Sequence, residues 1–81
     1  MIHTVHLFAA ARELVGSPTL SVELPDGASV AQLRQRLVIA SPGLAKLLPN
    51  CRIAIDHDFA ADDCILTAND EVAVIPPVSG G

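Results

Sequence analysis

An α+β domain, with one main helix packed on one face of a mixed sheet, is the fold class this sequence predicts, and three observations predict it. Short runs of alternating apolar and polar residues lie before and after a central segment, the period of strands with one buried face. The central segment instead spaces Val30, Leu33 and Leu37 at i, i+3 and i+7, one apolar stripe of a helix. Clusters of Pro, Gly, Asn and Asp punctuate the runs. A hairpin, a helix and further strands in that order put the helix against a sheet to which both ends of the chain contribute.

The first strand is expected over residues 2–9, with Val5, Leu7 and Ala9 on one face and Thr4, His6 and Phe8 on the other. Residues 10–15 favour a short helix that Gly16 stops. Residues 19–24 form a second strand with Leu20, Val22 and Leu24 on one face, closed by the turn Pro25-Asp26-Gly27. Ser29 opens the main helix with Gln32 as its capping-box partner, and the helix should end near Ala40, ahead of Ser41-Pro42-Gly43. A helical turn is expected over residues 44–48, then a strand over 51–56 with Cys51, Ile53 and Ile55 on one face. The acidic stretch 57–66 is less periodic, with a short strand expected around 64–66. Ala68-Asn69-Asp70 is a turn, with Asn69 as its left-handed residue. Residues 71–75 form the last strand, Val72 and Val74 inward and Ala73 and Ile75 outward.

Eighty-one residues make one small domain, which buries roughly 60–65% of its unfolded surface without needing a metal or disulfide. With two Phe, no Trp and no Tyr, the core must be aliphatic, and such a domain is expected to leave apolar surface for a protein partner. The net charge of −4, with Lys46 the only lysine, leaves no basic patch for nucleic acid. No apolar run approaches a membrane span and no signal peptide is recognised, so the expected location is cytoplasmic, with Cys51 and Cys64 as reduced thiols.

Several groupings that look chemical read better as structure. His3 and His6 have opposite strand parity and cannot ligate a metal jointly. Asp56, Asp58, Asp62 and Asp63 lack the glycine and terminal glutamate of a calcium loop and read as solvated turn acids. Cys51 falls on the inward parity, and neither cysteine has a Cys-x-x-Cys partner. No metal site is expected. Arg12-Glu13 is either an exposed pair of little energetic weight or a site where Arg12 docks a partner or guides an anion.

The chemistry is placed at the end of the chain. Val74-Ile75 runs into Pro76-Pro77, then Val78-Ser79, then a bare Gly80-Gly81. The prolines hold the backbone extended, and two residues without Cβ atoms can thread a narrow channel to present a terminal carboxylate. Residues 1–75 form the body and 76–81 the tail. Phe8, Phe59 and Ile75 have no place on the helix-covered face and form a candidate docking patch; the alternative is that a curved sheet buries them under the 57–66 loop.

Leu7-Phe8-Ala9-x-x-Arg12-Glu13-x-x-Gly16, together with Asp70-Glu71-Val72-Ala73-x-x-Pro76-Pro77-Val78-Ser79-Gly80-Gly81, resembles the MoaD-type sulfur carriers, the small subunits of molybdopterin synthase. Ala68-Asn69 stands where that family often has Asp-Gly. The resemblance implies a β-grasp, ubiquitin-like fold. It implies that an E1-like adenylating enzyme of the MoeB type uses ATP to adenylate Gly81, and that a sulfur donor such as a cysteine desulfurase or rhodanese converts it to a thiocarboxylate. The loaded tail would enter a MoaE-type large subunit in a heterotetramer and give its sulfur to a cyclic pyranopterin monophosphate. Gly80 and Gly81 would carry the chemistry, and Phe8, Arg12, Phe59, Ile75, Pro76, Pro77, Val78 and Ser79 would contact partners. No cofactor would be stably bound, and catalytic side chains would belong to the partner. A carrier for thiamine or tRNA thiolation, and a ubiquitin-like protein modifier, are the alternatives.

Overall fold

The computed structural model describes residues 1–77; Val78, Ser79, Gly80 and Gly81 lie outside the described residues. Its elements are β1 (Ile2–Leu7), α1 (Ala9–Val15), β2 (Thr19–Glu23), α2 (Val30–Ala40), β3 (Arg52–Ile55), β4 (Asp58–Ala60) and β5 (Val72–Ile75), with two 3-10 turns at Pro42–Ala45 and Leu48–Asn50. The strands make one sheet in the order β2-β1-β5-β3-β4. β1 and β5 pair in parallel; the other neighbours are antiparallel. A parallel pair cannot be closed by a tight hairpin, so the chain between them must cross over the sheet, and α2 makes that crossing.

The expected alternation decides what the crossing covers. Val5, Leu7, Val22, Ile53, Val72 and Val74 are buried in one aliphatic core with Val30, Leu33 and Leu37, the stripe of α2. Ser29 Oγ accepts from the Gln32 amide at 3.3 Å and Gln32 Oε1 accepts from the Ser29 amide at 2.9 Å, so the capping box is complete. Gly16 and Gly27 take the left-handed conformation their turns require (φ 79° and 78°). Arg34, legible only as a polar helix residue, is a tie rod: it donates to the Leu48 and Cys51 carbonyls at 2.8 and 2.9 Å and pairs with Asp62 at 2.9 Å. One guanidinium thereby holds α2, the 3-10 connection and the following loop together.

Four local expectations are corrected. β1 ends at Leu7, and Ala9 is an exposed residue opening α1 with φ 49°, not a core residue of the strand. The helical turn expected over 44–48 is two 3-10 turns, each with a proline in its first two positions. Strand β4 lies at Asp58–Ala60, not at 64–66, where a single bridge joins Ser29 to Ile65. β3 and β4 form a hairpin whose two-residue turn sets Asp56 and His57 at φ 50° and 73°. That is the backbone of a primed turn, normally marked by Asn-Gly or Asp-Gly, and Asp-His carries no such mark. Finally, Asn69 is not left-handed, for Ala9, Asp56 and His57 are the positive-φ non-glycine residues among those described. The 67–70 turn is closed by a carboxylate instead: Asp70 accepts from the Thr67 amide and hydroxyl, both at 2.7 Å, and its own amide donates to the Thr67 carbonyl at 3.2 Å.

Two predictions follow from these turns. Ala9→Gly should be neutral to stabilising by up to about 1 kcal/mol, and Ala9→Val should destabilise by about 1 kcal/mol or more, because Cβ is what crowds a left-handed residue. Urea midpoints check this, and a clear loss of stability in the glycine variant contradicts the assignment. The bonds from the Thr67 amide and hydroxyl, with a smaller contribution from His3, hold the Asp70 carboxyl below its ordinary value against the opposing effect of burial. A group whose pKa is depressed on folding stabilises above its unfolded pKa and loses that contribution as pH falls through the folded one. The stability gap between the native chain and Asp70→Ala should therefore be constant above the ordinary aspartate pKa of about 3.9 and shrink below it; a gap that does not change in acid would rule the turn's carboxylate out as its cause.

Candidate partner-docking site at the exit of the last strand

Because β1 and β5 are parallel, both run toward the same edge of the sheet, and the tail leaves from a central strand at that edge. Register places His6 beside Ala73, Ala73 beside Ala54, and Ala54 beside Phe59, one row across the face that α2 does not cover. Two alanines thus make a low floor between two ring-bearing side chains. One step toward the edge, Ile75 pairs with Arg52, and Phe8 follows Leu7, the partner of Val74. The result is a groove of about 260 Å³ lined by His6, Phe8, Ala54, His57, Phe59, Glu71, Ala73 and Ile75. Phe8 and Phe59 are 49% and 61% exposed, and Ile75 is half-buried.

The alternative of burial beneath the 57–66 loop is not what the chain does. The loop is drawn to the start of α2, where the Asp62 and Cys64 carbonyls accept from the Ala31 and Val30 amides, both at 2.9 Å. The three apolar residues therefore lie along one groove and stay open. Phe59 reaches it from β4 and not from a polar loop.

The ends of the groove differ in charge. His57 Nε2 lies 3.8 Å from Glu71 Oε2 at one end, both largely exposed. At the other, the Arg52 guanidinium lies 4.6 Å from the centre of the Phe59 ring. Pro76 and Pro77 join Asn50, Arg52, Phe59 and Ile75 around an adjoining pocket of about 430 Å³. Arg12 is elsewhere: it is exposed on α1 beside Ala9, Gly16 and Pro18, with no ion pair among the described residues, and does not line the groove. Arg52, His57 and Glu71 were missed as site residues. The parity of β3 puts Arg52 outward with Ala54, and the parity of the last strand puts Glu71 outward with Ala73 and Ile75, so both were within reach of the sequence; His57 needed the unmarked hairpin.

His3 and His6 do lie on opposite faces. His3 is 2% exposed, with Nε2 3.0 Å from the Thr67 carbonyl and Nδ1 buried without a partner among the described residues. Among the four aspartates, Asp56 Oδ1 accepts from the Glu71 amide at 2.9 Å and Asp62 pairs with Arg34. No group of three His, Cys, Asp or Glu residues that could hold a metal ion lies among the described residues, and none of their helices is long and apolar enough to cross a membrane. Cys51 is buried, its thiol donating to the Leu47 carbonyl at 3.4 Å, and burial pushes its pKa up while Arg34 opposes the shift. Cys64 is half-buried and free.

This strand order, with the crossing helix on one face, is the ubiquitin-like β-grasp arrangement, here with an open apolar groove where the last strand leaves the sheet. The chain belongs to the ThiS family, whose model matches residues 5–81. It is 38% identical over 77 residues to the molybdopterin synthase sulfur carrier subunit of Arabidopsis thaliana, covering 95% of this chain and 80% of that protein. To the subunit of the same name from Chlamydomonas reinhardtii it is 37% identical over 76 residues, covering 91% and 92%. Among solved structures, small archaeal modifier protein 1 of Haloferax volcanii superposes with a TM-score of 0.89 at 30% identity, covering all of both chains. A putative molybdopterin converting factor subunit 1 from Pyrococcus furiosus gives 0.86 at 27% identity, covering 96% of this chain and 99% of that one.

The two thiols should differ in reactivity. In the native protein a thiol reagent at mildly alkaline pH should modify Cys64 first, with Cys51 reacting freely only in denaturant; peptide mass mapping that finds Cys51 labelled first would contradict its burial.

Proposed function

We propose that this chain is the sulfur-carrying subunit of a molybdopterin synthase, and that Gly81 is the group that changes. The observation that carries the reading beyond the family is the apolar groove at the tail's exit. A free carboxylate is a poor acyl donor because oxide would have to leave. Adenylation of Gly81 by an E1-like enzyme using ATP would supply AMP as the leaving group, and sulfur delivered by the donor at the sulfide level would displace it to give a thiocarboxylate. The large subunit would seat on Phe8, Phe59 and Ile75, and Pro76-Pro77 would aim Val78, Ser79, Gly80 and the loaded Gly81 at the acceptor pterin. The catalytic side chains would be the partner's, which agrees with the lack of an acid–base constellation in this sequence.

The likeness to an archaeal modifier protein favours one second reading, in which Gly81 is joined to lysines of other proteins. The outcomes separate cleanly. Incubated with its activating enzyme, ATP and a sulfur source, the chain should gain the mass of one oxygen-to-sulfur exchange at its C-terminus. Deleting Gly81 should abolish the gain and leave the thermal midpoint unchanged. Isopeptide adducts without a thiocarboxylate would support the modifier instead. Phe8→Ala should weaken large-subunit binding roughly tenfold, about 1.4 kcal/mol, with little change in the thermal midpoint of a residue half open to solvent; a large loss of stability would put Phe8 in the core.

A further inference from the structure

We propose that Arg52 is a specificity-determining residue of the groove: its guanidinium receives a carboxylate from the docked partner and so fixes which way round the partner lies. This rests on the sulfur-carrier reading and adds to it a contact and a polarity.

Three observations carry the inference. Arg52 is the only lysine or arginine among the strand residues of the open face. Its guanidinium is held over the Phe59 ring and makes no ion pair and no side-chain hydrogen bond among the described residues, in contrast to Arg34, each of whose three side-chain nitrogens donates a hydrogen bond. A stacked arginine is a preformed fork that loses little freedom when it binds a carboxylate with two parallel bonds. Third, the cation stands where the tail begins, sharing a pocket with Ile75, Pro76 and Pro77, while the acid Glu71 stands at the opposite end of the same groove. An apolar floor alone would accept a partner in either direction. Unlike charges at the two ends penalise the reversed one, because it would set like charges together.

The partner chemistry is therefore a protein surface with an apolar ridge that fits between the two phenylalanines and an acidic side chain at the end nearest the tail. Desolvated against Phe59 and the prolines, that pair would be less screened than an exposed one.

The test titrates the full-length chain against the synthase large subunit of the same organism, at low and high salt. Arg52→Ala should raise Kd roughly tenfold or more, Arg52→Glu further still, and Arg52→Lys by an intermediate factor, since an ammonium keeps the charge but not the fork. Thermal midpoints should not move. Arg36→Glu makes the same change of net charge on α2, away from the groove, and should alter Kd no more than about twofold at low salt. If the native chain binds and loads sulfur at Gly81 but Arg52→Glu binds as tightly as native, or loses no more than Arg36→Glu does, this inference falls and the functional reading stands. If the native chain neither binds the large subunit nor gains sulfur, both fall.

Discussion

The parallel pairing of β1 with β5 is the constraint from which the rest of the molecule follows. These are the first and last strands, they lie side by side in the middle of the sheet, and their register is Val5 with Val72, His6 with Ala73 and Leu7 with Val74. The intervening chain must cross one face, so α2 covers that face and leaves the other bare. The same register sets what the bare face presents. A slip of one residue in β5 would turn Val72 and Val74 outward and bring Ala73 and Ile75 into the core, leaving a cavity at the alanine and overpacking at the isoleucine, and raising the low groove into a β-branched ridge. Core packing and the open groove are thus fixed by one set of backbone bonds.

Elements decided by local patterns were legible in the sequence. The Ser29-Gln32 capping box, the Val30-Leu33-Leu37 stripe, the Gly16 and Gly27 stops and the inward parity of Val72 and Val74 each follow from residues a few positions apart. Phe8, Phe59 and Ile75 were also recognisable, by parity or by having no place in the core. What they form was not, because the row His6-Ala73-Ala54-Phe59 is assembled by register among four strands. The remaining misses share a cause. At Asp56-His57 and at Thr67–Asp70 a turn is made without its usual residue: tertiary context holds two non-glycines at positive φ in the first, and a carboxylate replaces a left-handed residue in the second. Arg34 was missed because its acceptors lie 14, 17 and 28 positions away.

The proposed division of labour between body and tail also has a physical reason. A carrier must deliver a reactive group into another protein's interior, which demands a slim, unbranched segment, and it must be recognised, which demands a broad and rigid surface. Those demands conflict within a single element. Here they meet at Ile75, whose side chain lines the groove while its backbone, paired with Arg52 in β3, ends the sheet. A tail starting from an edge strand would inherit that strand's fraying; β5 has a hydrogen-bonded neighbour on either side, so the tail's origin is tied to the groove. In the sulfur-carrier reading, the six residues after Ile75 reach at most about 20–22 Å fully extended. The site of sulfur transfer must then lie within that distance of the docked Ile75. In that reading the polarity of the groove bears directly on transfer: a partner docked in the reverse direction would carry its acceptor site away from the tail's exit, and a tether with so limited a reach could not follow it.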